Sequence, residues 1–228
     1  MHYLDHNATS PLRPECLSAV THALAVGGNP SSIHANGRAA RALVEESRTR
    51  VAALAGAAAD TVIFTSGATE SNNLALFGAV EGSLEGEASR ITRIFVSAIE
   101  HSSLLATAGR LTERFPWVRV SHLPVNADGV IDLEALRVAL REGKGRALVA
   151  VMAANNETGT VQPIAQVSKL VREAGALLLV DAVPAAGKMA IDFSLCDYMT
   201  LSAHKIGGPQ GVGALLDSGV MGGMGRLE

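Results

Sequence analysis

Ser202-Ala203-His204-Lys205 stands behind an apolar run and ahead of the glycine-rich Gly207-Gly208-Pro209-Gln210-Gly211. A lysine in such a place can form a Schiff base with an aldehyde. A second apolar run, Ala176-Leu177-Leu178-Leu179-Val180, ends at Asp181-Ala182. A lysine that holds an aldehyde as an imine, and an aspartate that keeps a pyridine nitrogen protonated, are the two groups a pyridoxal phosphate site requires. The bland alternatives are a solvated loop lysine for Lys205 and an N-cap or structural ion pair for Asp181. A carboxylate at the end of so apolar a run is costly unless it is paired.

Three further segments place polar residues after apolar runs. Ser66-Gly67-Ala68-Thr69-Glu70 joins a predicted strand to a predicted helix. Its glycine permits close backbone approach, the helix N-terminus attracts phosphate, and Thr69 adds a hydroxyl. A ligand-free helix cap is the alternative. In Glu100-His101-Ser102, His101 can lie over a cofactor ring or move protons; the competing reading is a capping or surface histidine. In Asn155-Asn156-Glu157-Thr158-Gly159, Asn155 can donate to a ring oxygen or a substrate carboxylate, and the competing reading is a polar turn. Ser202 and His204 can bind phosphate beside Lys205. Five such segments at corresponding positions weaken the set of bland readings taken together.

The elements that must position these residues alternate along the chain. Helices are predicted over 15–26, 37–55, 69–80, 103–114, 133–141 and 164–174, with Asp132 as an N-cap and Gly56 and Gly175 at C-terminal ends. Strands are predicted over 61–65, 94–98, 118–123, 147–153, 176–180, 198–201 and 212–216. Most are apolar almost throughout, as strands buried on both faces are. The segment between 201 and 212 is too short for a helical crossover, so that last pair is expected to be antiparallel. The expected fold is α/β, with a seven-stranded, mostly parallel sheet containing one antiparallel strand. In such sheets ligands bind at the carboxyl ends of the strands. Residues 81–90 read as an exposed loop. The segment before Pro14 is expected to pack on something outside this chain.

Composition narrows the function class. The 228 residues are 48% hydrophobic with a net charge of −3, which suits one large domain or two small ones and gives no case for nucleic acid. No apolar run approaches the roughly 20 residues that span a bilayer. The N-terminus lacks a signal peptide's basic start and apolar stretch, so a cytoplasmic location is expected. Two cysteines, Cys16 and Cys196, argue against a disulfide scaffold and a cysteine-based zinc site.

Taken with Tyr3-Leu4-Asp5-His6-Asn7-Ala8-Thr9, Asn29-Pro30-Ser31-Ser32-Ile33-His34, Phe64–Asn73, Glu100-His101, Asn155–Pro163, Gly187-Lys188 and the Lys205 segment, the chain resembles cysteine desulfurases of the NifS/IscS kind, among the class V, fold-type-I pyridoxal phosphate enzymes. The resemblance implies that Lys205 carries the cofactor and that Asp181 pairs with its ring nitrogen. It implies that His101 stacks on the ring and shares in proton transfer. Ala68, Thr69, Ser202 and His204 would surround the phosphate, and Asn155 would contact the cofactor oxygen and the substrate carboxylate. The implied reaction takes sulfur from L-cysteine, leaving alanine and an enzyme persulfide for an iron–sulfur scaffold or sulfur carrier, in a homodimer. It also divides the chain into an N-terminal arm over 1–14 and a cofactor-binding large domain over 15–228, with a smaller C-terminal domain absent.

Three departures stand against the pattern. Pro184 takes the place of a family glutamine, and proline has no N–H to donate. The region that carries the family's persulfide cysteine, and further substrate and phosphate ligands, is not recognisable; Cys16 and Cys196 stand in no matching motif. The tail from Gly219 to Glu228 does not continue the pattern. A catalytically silent binding or assembly module, and a selenocysteine lyase or another class V enzyme, therefore stay open as alternatives.

Overall fold

Stretches of mixed polarity and continuous apolar runs alternate along this chain, the first becoming helices and the second most of the strands. In the computed structural model, which describes residues 2–85 and 89–219, the helices are α1 (Pro14–Val26), α2 (Ala35–Leu54), α3 (Ala68–Gly82), α4 (Ser102–Arg114), α5 (Leu133–Arg141) and α6 (Ile164–Glu173). The strands are β1 (Val62–Thr65), β2 (Ile91–Ser97), β3 (Arg119–Leu123), β4 (Arg146–Met152), β5 (Leu177–Asp181), β6 (Tyr198–Ser202) and β7 (Gly213–Asp217). Every predicted element is present, with ends moved by at most three residues.

The strands form one sheet in the order β1-β7-β6-β5-β4-β2-β3. β7 runs antiparallel to both of its neighbours, and the other pairs are parallel. This is the expected sheet with one antiparallel strand. Two apolar layers cover it. Leu148, Leu179 and Tyr198 pack against Leu76 of α3 and Leu104 and Leu111 of α4. On the other face Val149, Val151, Leu178 and Val180 meet Leu136 of α5, Val167 of α6 and Ala52 of α2. Burial on both faces explains why the central strands lack the alternation of a half-exposed sheet. No helix among the described residues is long and apolar enough to cross a membrane.

Helix ends follow local chemistry. The Asp132 carboxylate accepts from the N–H groups of Glu134 and Ala135 at 2.9 and 3.0 Å, as an N-cap does. His34 caps α2 in the same way, its Nδ1 accepting from Gly37 N–H at 3.3 Å, which lets that helix begin two residues earlier than predicted.

Two expectations are corrected. Residues 81–85 are not loop: α3 runs through Gly82 and a 3₁₀ turn follows over Ser83–Glu85. The polar composition hid a buried Ser83, whose hydroxyl accepts from Ile91 N–H at 3.0 Å and starts β2. Residues 86–88 lie outside the described residues. The segment before Pro14 does have a partner within the chain. Ser10 N–H donates to His204 O at 2.7 Å, and Arg13 N–H to Gly207 O at 2.9 Å. It thus lies along the segment that carries Lys205. Of the unusual tail, only Gly219 is described.

One glycine positions the site. A Cβ on Gly213, at the start of β7, would lie 2.6 Å from Gly67 Cα and 2.8 Å from Leu201 O. The β1–α3 loop therefore rests directly on β7 backbone. Gly213→Ala is expected to cost about 1–3 kcal/mol in urea denaturation, through overpacking against backbone that has little room to move. Gly109→Ala is the control. It sits in α4 with nothing within 4 Å of a new Cβ, and should gain about 0.5–1 kcal/mol from helix propensity.

Candidate active site

Parallel strands β4, β5 and β6 end side by side, with Met152, Asp181 and Ser202 as their last residues. A cavity of about 550 Å³ opens at these ends. It gathers seven of the eight predicted site residues: Ala68, Thr69, His101, Asp181, Ser202, His204 and Lys205.

Asp181 is 3% exposed. Its Oδ1 accepts from Val183 N–H at 3.0 Å and its Oδ2 from the Asn72 amide at 3.3 Å. No ion pair to it forms among the described residues. Burial pushes its pKa up; the two hydrogen bonds and the charges of His101 and Lys205 oppose that rise. The ion-pair reading is thereby set aside. The N-cap alternative describes one oxygen, which accepts from an N–H two residues on; the residue also borders the cavity with no ion-pair partner among the described residues, and a protonated pyridine nitrogen is a matching guest.

Glu100 is a functional candidate for which no role was expected. It is 6% exposed, and its Oε1 accepts from Met152 N–H at 2.6 Å. Its Oε2 is buried without a hydrogen-bond partner. Burial, reinforced by the charge of Asp181, holds its pKa well above the usual carboxylate range. Two buried carboxylates near each other do not both ionise cheaply. Burial raises the pKa of both, and Glu100 is the one held well above the usual range. Its sequence signal was its place beside His101, but the strand it grips lies 52 residues on.

Lys205 closes a short 3₁₀ turn, Ala203–Lys205, directly after β6. It is half-buried and lines the cavity, so it is not a freely solvated lysine. Burial lowers its pKa, and the charge of Lys188 adds to that; Asp181, Glu157 and Asp5 pull the other way. A lowered pKa leaves more of the amine unprotonated and nucleophilic. Burial, and then the charge of Lys205, also lower the pKa of His204. The N-terminal segment completes this side of the cavity with Asn7, Ala8 and Thr9, which were quoted in the sequence but given no role there.

Opposite chemistry is available at the start of α3. Gly67 precedes the helix with φ +154° and no side chain caps the end. The first-turn N–H groups thus remain available to an anion. Ser66 instead binds Glu70, donating from both its N–H and its hydroxyl at 2.6 Å. These bonds, the hydroxyl's first, lower the Glu70 pKa. His101 is a helix cap that also borders the cavity. Its Nδ1 accepts from Ser103 N–H at 3.1 Å, capping α4, while the residue also lines the cavity. Because Nδ1 is an acceptor there, the proton of the neutral ring sits on Nε2.

Asn155 is the predicted site residue that does not line the cavity. Its Oδ1 accepts from Glu157 and Thr158 N–H at 2.8 and 2.9 Å, and its Nδ2 donates to Ile99 O at 3.0 Å. The polar-turn alternative describes this side chain, because two N–H groups of the turn occupy its oxygen and the Ile99 carbonyl takes its amide. Asn156 lines the cavity in its place.

Lys205, Asp181, an uncapped helix start and two hydroxyl-bearing residues, Thr69 and Ser202, are a donor set that fits pyridoxal phosphate. The sequence pattern of the class-V aminotransferases matches residues 2–221. The chain belongs to that family. It is 43% identical over 218 residues to an IscS-like cysteine desulfurase of Mycobacterium tuberculosis, covering 95% of this chain and 55% of that protein. It is 45% identical over 217 residues to a cysteine desulfurase of Cereibacter sphaeroides, covering 93% and 54%. Among solved structures, SspA in complex with cysteine superposes with a TM-score of 0.86 at 31% identity, covering 95% of this chain and 61% of that one. The chain spans about half the length of the curated relatives it matches.

Within this class-V aminotransferase framework, Pro184 lines the cavity where a donor was expected, and contributes none. The raised pKa of Glu100 has a measurable consequence. Its folded-state pKa is raised, so the folded chain binds more protons than the unfolded one above the ordinary value of 4.5. Stability contributed by this group therefore falls as pH rises from there through the raised value. Glu100→Gln keeps the bond to Met152 and removes the titration. Its stability relative to wild type should grow above about pH 5, by roughly 1 kcal/mol per pH unit in urea titrations. A difference that stays flat up to about pH 8 would show an ordinary, ionised carboxylate instead.

Proposed function

We propose that this chain is the pyridoxal phosphate-binding part of a cysteine desulfurase. The observation that carries the reading is the pairing, in one cavity, of a half-buried Lys205 with a buried Asp181 that has no cation of its own. The names of the related proteins, and the cysteine held by the structural neighbour, support the substrate. The wider role that goes with the reading is delivery of sulfur to an iron–sulfur scaffold or carrier protein, by a homodimer in the cytoplasm. Its support is family resemblance. The division into an N-terminal arm (1–14) and a large domain (15–228) belongs to the same proposal.

When bound, pyridoxal phosphate supplies an electron sink for bonds at the α-carbon of an amino acid. The rest falls to residues of this chain. Lys205 Nζ would hold the aldehyde carbon. Asp181 would keep the proton on the ring nitrogen, which is what makes the ring electron-poor. The α3 N–H groups, with Thr69, Ser202 and His204, would bind phosphate. His101 Nε2, the ring atom left free by its capping bond, would hold or pass a proton. Asn155 would act by fixing the turn that presents Asn156.

A specific observation favours a second reading alongside it. Neither cysteine lines the cavity. Cys196 is buried in the apolar layer with its thiol pKa pushed far up by burial, and Cys16 lies on α1. This chain alone would then bind the cofactor and remain silent in sulfur transfer.

Borohydride reduction of the yellow holoprotein, followed by peptide mapping, should place the label on Lys205, and Lys205→Ala should abolish both label and colour. Label on another lysine would overturn the assignment. Sulfide release from L-cysteine, and selenide release from L-selenocysteine, by the purified chain decides the second reading. Turnover without a longer homologue would refute silence, and a strong preference for selenocysteine would redirect the substrate.

A further inference from the structure

We infer that Glu100 is a positioning residue for His101: its buried carboxyl replaces the strand neighbour that Met152 lacks, and so fixes where the chain turns to bring His101 to the cavity. The placement of His101 is a property of this chain alone. What His101 does beside a bound cofactor rests on the reading above.

The need arises where two strands part. β2 and β4 pair from Ile91 and Arg146 as far as Val96 and Ala150. Beyond that point β2 stays with β3: Ser97 pairs with Leu123, and Ala98 N–H donates to Leu123 O at 3.0 Å. β4 runs on beside β5 to the pair Met152 and Asp181. In a parallel sheet the N–H groups of successive residues face opposite neighbours. Ala153 N–H turns to Asp181 O at 2.8 Å, on the β5 side. Met152 N–H therefore faces the side that β2 has left. Met152 is fully buried, and an unmet N–H there costs as much as a lost hydrogen bond.

The Glu100 side chain supplies the acceptor, its Oε1 taking the Met152 N–H at 2.6 Å. A second tether lies beside it, since Asn155 Nδ2 donates to Ile99 O at 3.0 Å. Glu100 N–H donates back to Ser97 O at 3.2 Å. Ala98, Ile99 and Glu100 are thus each tied down before His101 begins to cap α4. The backbone oxygen of His101 is taken by Leu104 and Leu105 N–H of that helix. Its bond to the sheet runs through the residue before it. Asp181, Met152, Glu100 and His101 form an unbroken series of strand pair, hydrogen bond and peptide link. Glu100 is the member that hands the level of Asp181 in the sheet to the histidine across the cavity.

The test separates placement from stability. In the wild-type chain without ligand, a through-hydrogen-bond NMR coupling should join the Met152 amide nitrogen to the Glu100 side-chain carboxyl carbon. Its absence would overturn the inference whether or not any variant folds. Glu100→Met keeps the length and loses the acceptor. It should move the His101 ring signals, which are those missing from His101→Ala, whereas Glu100→Gln still offers an oxygen and should leave them in place. Glu100→Met should also weaken pyridoxal phosphate binding roughly tenfold in absorbance titrations and change the visible circular dichroism of the bound group. Both of these effects should vanish in a chain that already carries His101→Ala, because a residue that acts only through another then has nothing left to act on. Equal losses in the two backgrounds would show a general structural role and overturn the inference, as would unmoved His101 signals in Glu100→Met. A wild-type chain that takes up no pyridoxal phosphate would strike the cofactor reading, while the ligand-free spectra still decide whether Glu100 places His101.

Discussion

Asp181 ends a strand whose five residues are all buried, and it is held there by two neutral donors. Much of the site is arranged around that carboxylate. The Asn72 amide that binds it comes from the buried side of α3, a helix whose first half buries Ser71 and Asn72 before its apolar second half begins. Its cross-strand neighbours, Met152 and Thr200, share its level in the sheet. Burial and the charge of Asp181 raise the pKa of a second carboxyl group, Glu100. A buried carboxylate whose own hydrogen bonds come from neutral donors favours a cationic guest at the end of β5.

The second organising element is backbone. The β1–α3 loop lies on β7, which returns through the sheet against the direction of its neighbours. That reversal lets one short connection carry Lys205 and also lets the strand after it support the helix start across the cavity. Lys205 and the start of α3 are therefore set by the same two strands, β6 and β7, and cannot drift apart independently.

Most of the fold was legible because unbroken apolar runs such as 176–180 have few ways to be satisfied other than burial on both faces. The antiparallel β7 followed from chain length alone. Lys205 and Asp181 were legible for a related reason: polar residues that end such runs stand out. Residues whose role depends on distant partners were not. Glu100 meets Met152, and Thr9 meets His204, and no local pattern encodes either contact. Asn155 and Asn156 show a finer limit. Adjacent residues of one type in a turn face different surroundings, and only the path of the backbone decides which amide is spent on the turn and which meets the cavity. The resemblance to desulfurases marked the N-terminal segment as part of the pattern, while physical reasoning on a segment without periodicity placed it outside the chain's own contacts.

The bond between Thr9 and His204 joins residues 195 positions apart. At typical translation rates of about 5–20 residues per second, roughly 10–40 seconds separate the appearance of the hydroxyl from that of its ring. Closing so long a loop also costs more entropy than any strand pairing within the central sheet. The segment must therefore wait unpartnered, and it docks only after β6 is in place. Assembly of this cavity therefore waits on β6, and the segment around Thr9 finds its partner only after the 195 positions that separate it from His204 have been made.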